Sequence, residues 1–186
     1  MFFGRTPLRI PSWHLSCGGR SSARKGVAPI TLVAQPCWTP ADRAGWIGRN
    51  VPYCGLDELR RLVGEAERAV LVTTKEGEFA RLILDDWRVK LADIQGKEAG
   101  THKCDNLRAL IAAYVTAHGR RPRVWFVEDR LETLEHVTTH PDLEDVGLFL
   151  AAWGYNTPAA RATAQASKRV HLLELDRFRR GLDAWL

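Results

Sequence analysis

The sequence contains few cysteines and no apolar run of the length that a membrane span needs. Its four thiols, Cys17, Cys37, Cys54 and Cys104, form no C-x-x-C pair, so their spacing gives little support to a zinc site. His102 lies close to Cys104 in sequence, but two ligand types without partners rarely make a metal site. Because 45% of the residues are hydrophobic, the chain can build a core without disulfides. We therefore expect a soluble protein with reduced, structural thiols.

Acidic residues are missing from the first 41 positions, which contain five basic residues: Arg5, Arg9, Arg20, Arg24 and Lys25. The remaining 145 residues carry 22 basic and 22 acidic side chains, so the net charge of +5 belongs to this leader. The charge is thus a poor reason to expect a nucleic-acid-binding surface on the folded part. The composition of residues 1–41 is typical of a transit peptide for a plastid or mitochondrion. The alternative is a disordered or wrongly assigned N-terminus, in which case we expect a cytoplasmic protein. In either case we expect disorder to about residue 28.

Strand-like and helix-like segments alternate after residue 41. The predicted strands are 69–73, 89–94, 124–128, 146–151 and 170–173, and the predicted helices are 39–47, 56–66, 79–87, 103–118, 131–140, 158–166 and 178–185. This alternation predicts an α/β fold, a three-layer sandwich in which helices cover both faces of a parallel sheet. Because residues 124–127 are all apolar, we expect their strand near the centre of the sheet, with 69–73 and 146–151 close by and 170–173 at an edge.

Polar side chains follow several of these strands. Thr73 and Thr74 end one strand, and Lys103 begins a helix. Hydroxyl groups, a lysine and the free N–H groups of a helix start are suited to binding phosphate. Glu128 and Asp129 end the longest apolar strand, and paired carboxylates suit a hard cation such as Mg²⁺. Taken singly, each of these residues has an ordinary structural role as a cap or a solvated charge.

Their order resembles the haloacid dehalogenase-like (HAD) superfamily of hydrolases. Residues 70–75 are similar to its second motif, Lys103 to its third and residues 126–130 to its acidic fourth motif. Residues 124–157 resemble a subgroup of plant and cyanobacterial members, and residues 42–55 resemble the end of the cap of that subgroup. The resemblance covers roughly residues 43–180, so we expect a basic leader at 1–41 and a HAD-like core at 42–186 that is incomplete on its N-terminal side.

The resemblance implies phosphoryl transfer on a Rossmann-like core. In this family an aspartate of a D-x-D motif forms an aspartyl-phosphate. Thr73, Thr74 and Lys103 would hold the phosphoryl oxygens, and Asp129 with Glu128 would hold Mg²⁺.

The D-x-D motif is absent from all 186 residues. The upstream strand-like segment Ile30–Ala34 is followed by Gln35 and Pro36 where the family has its aspartates, and most of the cap is missing. Removing a nucleophile costs up to about 10⁶ in rate when the groups act as a unit. We therefore expect a phosphatase relative that is inactive or only binds phosphate. The alternatives are an active Mg²⁺-dependent phosphatase whose nucleophile comes from elsewhere or was lost from the gene model, and a structural or partner-binding module. Neither the substrate nor the oligomeric state can be read from the sequence.

Overall fold

A computed structural model describes residues 43–100 and 102–185. The predicted strand Ile30–Ala34, the helix start before Arg43 and the leader lie outside these residues. Arg43–Asn50 belong to a smaller compact unit and residues from Val51 onward to a larger one. In the smaller unit, helix α1 (Arg43–Gly48) ends where the Asn50 side chain donates a hydrogen bond to Trp46 O at 2.9 Å.

The larger unit alternates strands and helices, as the sequence predicts. Its elements are α2 (Leu56–Glu65), β1 (Val70–Val72), α3 (Gly77–Asp86), β2 (Asp93–Gln95), α4 (Lys103–His118), β3 (Trp125–Glu128), α5 (Leu131–Thr138), β4 (Gly147–Ala151), α6 (Pro158–Ala166), β5 (Val170–Leu173) and α7 (Leu175–Arg179). The described residues also contain three short 3₁₀ turns, Lys97–Ala99, Pro141–Leu143 and, after α7, Leu182–Ala184. Among these helices, none combines the length and apolarity that a bilayer span requires.

All of the strand pairs are parallel, but they form two small sheets instead of one. β1 pairs with β2, and the second sheet has the order β3-β4-β5. The α/β class with parallel strands is therefore confirmed. The central position predicted for residues 124–128 is not confirmed, because among the described residues β4 is the middle strand of its sheet and β3 lies at an edge. The edge position predicted for residues 170–173 is confirmed.

The core is built around β4. Leu148 and Leu150 are completely buried and face Leu134 and Val137 of α5, which are equally buried. Phe126 of β3 is 6% exposed and packs in the same cluster, as its apolar neighbourhood predicts. Burying such side chains stabilises the fold by about 1.5–3 kcal/mol each.

Two further predictions are corrected by local geometry. The strand predicted at 89–94 is confined to Asp93–Gln95, because Val89 closes the end of α3 by donating its N–H to Leu84 O at 2.9 Å. Val89 is buried, at 4% exposure, which suits an apolar side chain, but it belongs to no strand pair of the described residues. The helix predicted at 178–185 is interrupted at Gly181, whose φ of 111° is left-handed and ends α7 before the last 3₁₀ turn.

Candidate functional site at the strand ends

Lys103 connects the carboxyl end of β1 with the carboxyl end of β3. Lys103 is the first residue of α4, and its Nζ donates a hydrogen bond to Val72 O at 2.9 Å. Burial lowers the pKa of Lys103, whereas the charges of Glu128 and Asp129 raise it. The lysine is thus a half-buried cation that lies between the two sheets and next to the acid pair.

Glu128 and Asp129 are both buried, at 2% and 8% exposure. Glu128 Oε1 accepts the N–H groups of Asp129 at 3.0 Å and Arg130 at 3.3 Å. Burial, followed by the hydrogen bond and the charge of Asp129, raises the pKa of Glu128 to about 8, although Lys103 acts in the opposite direction. The raised pKa favours the neutral form of the Glu128 carboxyl, as is usual for a carboxyl group that is buried beside a second one.

The loop after β4 fixes the position of Asp129. Tyr155 donates its N–H to Asp129 Oδ2 at 3.2 Å, and the Asn156 side chain donates to Asp129 O at 3.1 Å and to Ala151 O at 2.8 Å. A Cβ on Gly154 would lie 2.2 Å from Asp129 Cβ. Only glycine allows this approach, so residues 154–156 together hold the acid in place.

Tyr53 belongs to the same site, although the sequence does not predict it there. Burial raises the pKa of its phenol, and the charge of Asp129 raises it further. Its backbone oxygen accepts a hydrogen bond from Arg179 Nη2 at 3.4 Å. A tyrosine in a loop far from Asp129 in sequence gives no local signal of this proximity.

The two threonines are placed differently from each other. Thr73 directly follows Val72, and its Oγ1 accepts the N–H of Lys75 at 3.1 Å, which forms a turn. Its hydroxyl hydrogen still makes Thr73 a donor. Thr74 is exposed beside it. Both residues lie at the β1 end that Lys103 contacts.

The helix start behind these threonines is not open to an anion in the way that the sequence predicts. The first N–H of α3, from Gly77, is donated to the carboxylate of Glu98 at 3.1 and 3.2 Å. A hydrogen bond from the backbone of Glu98 itself, followed by this bond from Gly77, holds the pKa of Glu98 below its usual value. A carboxylate of the chain thus occupies the anion position at α3.

The donor set at the end of β3 fits Mg²⁺. Asp129 supplies carboxylate oxygen, the ligand type that Mg²⁺ prefers. Glu128 is bound to two backbone N–H groups through Oε1, and a cation beside it would displace its proton. Asp129 is therefore the better placed ligand of the two, with Glu128 as its neighbour.

A cavity of about 410 Å³ separates the two sheets. We call it the inter-sheet cleft; its walls include Val70 and Val72 of β1 and Trp125 and Val127 of β3. Backbone groups alternate in direction along a strand. Ala69 O bonds to the residue before β2, Thr73 N bonds to β2, and Val124 O bonds to β4. The N–H and C=O groups of Val70, Val72, Trp125 and Val127 therefore point away from their own partner strands.

The other walls of the cleft are apolar. They come from α4 and from the chain after β5, and include Leu110, Ile111, Phe178, Leu182 and Trp185. The cleft thus has two strand edges on opposite sides and apolar side chains around them, with Lys103 bonded to Val72 at one end.

No family model matches this sequence, and comparison with curated proteins and with solved structures finds no match either.

Proposed function

We propose that residues 51–185 form a HAD-like core that lacks its nucleophile and binds inorganic phosphate or a small phosphate ester together with Mg²⁺. The observation that carries this proposal is the position of Lys103 between Val72 O and the Glu128–Asp129 pair. Desolvating an ammonium group is costly, and an anionic ligand beside it offsets that cost. A site with a fixed cation and a neighbouring acid pair suits a phosphate that arrives with a divalent metal.

Each residue has a separate part in this proposal. Lys103 balances the charge of the phosphate, and the hydroxyls of Thr73 and Thr74 donate hydrogen bonds to its oxygens. Asp129, held by Tyr155 and Asn156, would be the ligand of Mg²⁺, and the bound ion would neutralise phosphate charge. These contacts bind the ground state and supply no covalent step, because no D-x-D motif exists in the sequence.

The inter-sheet cleft supports a finer proposal for the fold. A strand placed between β1 and β3 would pair with both open edges and join the sheets in the order β2-β1-strand-β3-β4-β5. The product would be the single parallel sheet of a three-layer Rossmann-like sandwich. On this proposal, the two sheets are two halves of one sheet whose connecting strand is not among residues 43–100 and 102–185.

The same cleft favours a second candidate function. A strand that enters the cleft from elsewhere would end beside Lys103 and Asp129, where a carboxylate on that strand would serve as the missing nucleophile. The protein would then be an active Mg²⁺-dependent phosphatase. A strand without such a carboxylate would instead make the chain a partner-binding module.

Calorimetry with inorganic phosphate and Mg²⁺ tests the leading proposal. We expect Mg²⁺-dependent phosphate binding that Lys103→Ala weakens by about 10- to 100-fold, since a hydrogen bond to a charged group contributes about 1.5–3 kcal/mol. The exposed Lys90 provides the matched control, and Lys90→Ala should leave the affinity unchanged. Equal affinities in the two variants would exclude this site.

Hydrolysis of a generic aryl phosphate separates the candidates. The leading proposal expects no phosphate release above background from the purified chain. Turnover that disappears in Asp129→Asn would replace it with the active phosphatase.

A further inference from the structure

Three metal-ligating side chains outside the strand-end site come together where α4 meets α5. Cys104 is the second residue of α4, His136 lies in the last turn of α5, and His140 follows four positions later. One ligand atom from each lies within 4.8 Å of the other two. Zinc bonds of about 2.3 Å to sulfur and about 2.0–2.1 Å to nitrogen place tetrahedral ligand atoms about 3.3–3.6 Å apart. Side-chain rotations that move these atoms by about 1 Å are enough to close that difference.

The backbone around the three residues is held by the core. Cys104 is 3% exposed and belongs to the same buried cluster as Leu134, Val137 and Leu143, which flank the two histidines. The imidazole rings of His136 and His140 lie 5.0 Å apart and nearly perpendicular. The thiol and the two rings are thus already arranged around one point, so metal binding does not require α4 or α5 to move.

His140 carries a polar atom that its surroundings leave unused. Its Nε2 is buried and has no hydrogen-bond partner among the described residues. Its Nδ1 lies 3.0 Å from Arg108 Nη2, and arginine only donates, so Nδ1 accepts and the hydrogen of the neutral ring is on Nε2. A buried polar group without a partner costs about 1–3 kcal/mol. A metal ion bound at Nε2 removes this cost, because the nitrogen then acts as a ligand of the ion and is no longer without a partner.

Arg108 sets the condition for metal binding. A metal at Nε2 moves the ring hydrogen to Nδ1, so the guanidinium has to turn away from His140. Arg108 is still held by Asp142, at 2.6 and 3.0 Å, and by Asp105 at 3.0 Å. The exchange therefore releases one contact of Arg108 and keeps its two carboxylate partners.

We propose that Cys104, His136 and His140 form a Zn²⁺ site. One thiolate and two imidazoles are zinc ligands and do not suit Mg²⁺. His136 is exposed, so the fourth position of the tetrahedron faces solvent and takes water. On binding, the Cys104 thiol gives up its proton to solvent and the Zn–S bond forms, with no change of oxidation state.

Cobalt substitution and zinc competition test this site on the full chain after its metals have been removed with a chelator. Co²⁺ should show a thiolate-to-metal charge-transfer band and tetrahedral ligand-field bands, and Zn²⁺ should abolish both. Cys104→Ser should remove the charge-transfer band and weaken Zn²⁺ binding by at least about tenfold. Zn²⁺ should also raise the melting temperature of the wild type. His171→Gln, which changes an exposed histidine on β5, is the matched control and should bind as the wild type does.

A variant at the exposed His136 distinguishes loss of metal binding from loss of folding. His136→Gln should keep the wild-type melting temperature without metal and lose the stabilisation by Zn²⁺. A cobalt spectrum without thiolate character would overturn the site, as would equal zinc affinity in wild type, Cys104→Ser and His136→Gln.

Discussion

Lys103 Nζ donates to Val72 O at 2.9 Å, on the side of β1 that pairs with no other strand among the described residues. This bond ties the first residue of α4 to the end of a strand 31 positions earlier. It also places a positive charge beside Glu128 and Asp129, because both carboxyl groups act on the pKa of the lysine. One hydrogen bond thus supports the sheet edge and the electrostatics of the candidate phosphate site together.

Removal of this charge should change the pKa of Glu128. The positive charge of Lys103 lowers the pKa of the Glu128 carboxyl, which the other contributions raise to about 8. In Lys103→Met we expect that pKa to move further up, measured by NMR titration of the side-chain carboxyl carbon. Lys90→Met is the control and should leave it unchanged. A lower Glu128 pKa in Lys103→Met would contradict the placement of the lysine.

The stability of the protein should fall as pH rises through the range in which Glu128 loses its proton. The folded-state pKa of about 8 lies above the ordinary value of 4.5, so the native state binds a proton that the unfolded state has released. This stabilisation is complete below about pH 4.5 and is lost by about pH 8. Glu128→Gln keeps the shape and the acceptor oxygen but does not titrate. Its unfolding free energy should match the wild type near pH 5 and exceed it by about 1–3 kcal/mol near pH 8.5.

Chemical denaturation at several pH values measures this difference. The lowered pKa of Lys103 acts in the opposite direction, because it adds stability as pH approaches the unfolded value of 10.5. The comparison of wild type with Glu128→Gln separates the two groups, since both proteins contain the lysine. Parallel pH profiles for the two proteins would show that Glu128 is ionised in the fold.

Gly154→Ala should displace Asp129. The new methyl group would lie 2.2 Å from Asp129 Cβ and 3.2 Å from Ala151 O, so the loop or the acid has to shift. We expect a loss of about 1–3 kcal/mol in unfolding free energy and weaker Mg²⁺-dependent phosphate binding. Gly64→Ala in α2 is the control, because nothing lies within 4 Å of its added Cβ. The control should be neutral or slightly stabilising. If Gly154→Ala bound phosphate with the affinity of the wild type, the loop would have no part in the binding site.

Amide hydrogen exchange should reveal the open strand edges. The N–H groups of Val72 and Val127 point into the inter-sheet cleft, whereas Thr73 donates to Gln95 O at 2.8 Å and Phe126 faces β4. We expect Val72 and Val127 to exchange faster than their neighbours by more than about tenfold. Equal protection of all four amides would mean that a strand fills the cleft, and would favour the second candidate function.

The sequence predicts much of the larger unit because its signals are local. The apolar run before Glu128 and the apolar stripe of α4 depend on nearest neighbours, and both elements form where they are expected. Gly119, with φ of 67°, ends α4 at the predicted place. Val89 shows where this approach fails, since burial alone gives an apolar residue the appearance of a strand.

Which strand is central cannot be read from apolar runs alone. Residues of both β3 and β4 are buried, so both have the composition of a central strand. Only pairing decides between them, and β4 pairs on both sides. The cleft beside β3 is a relation between two sheets that are distant in sequence.

The sequence by itself determined the class of the fold, the order of its elements and the acid pair that follows β3, because periodicity and strand-end chemistry are short-range properties. The tertiary structure decided the rest. It raises the pKa of Glu128 by burying it, brings Tyr53 near enough to Asp129 for the charge of the carboxylate to act on the phenol, and fills the N-terminal position of α3 with Glu98. It also gathers Cys104 with His136 and His140. Burial and contacts between residues many positions apart set each of these features, and no local pattern encodes them.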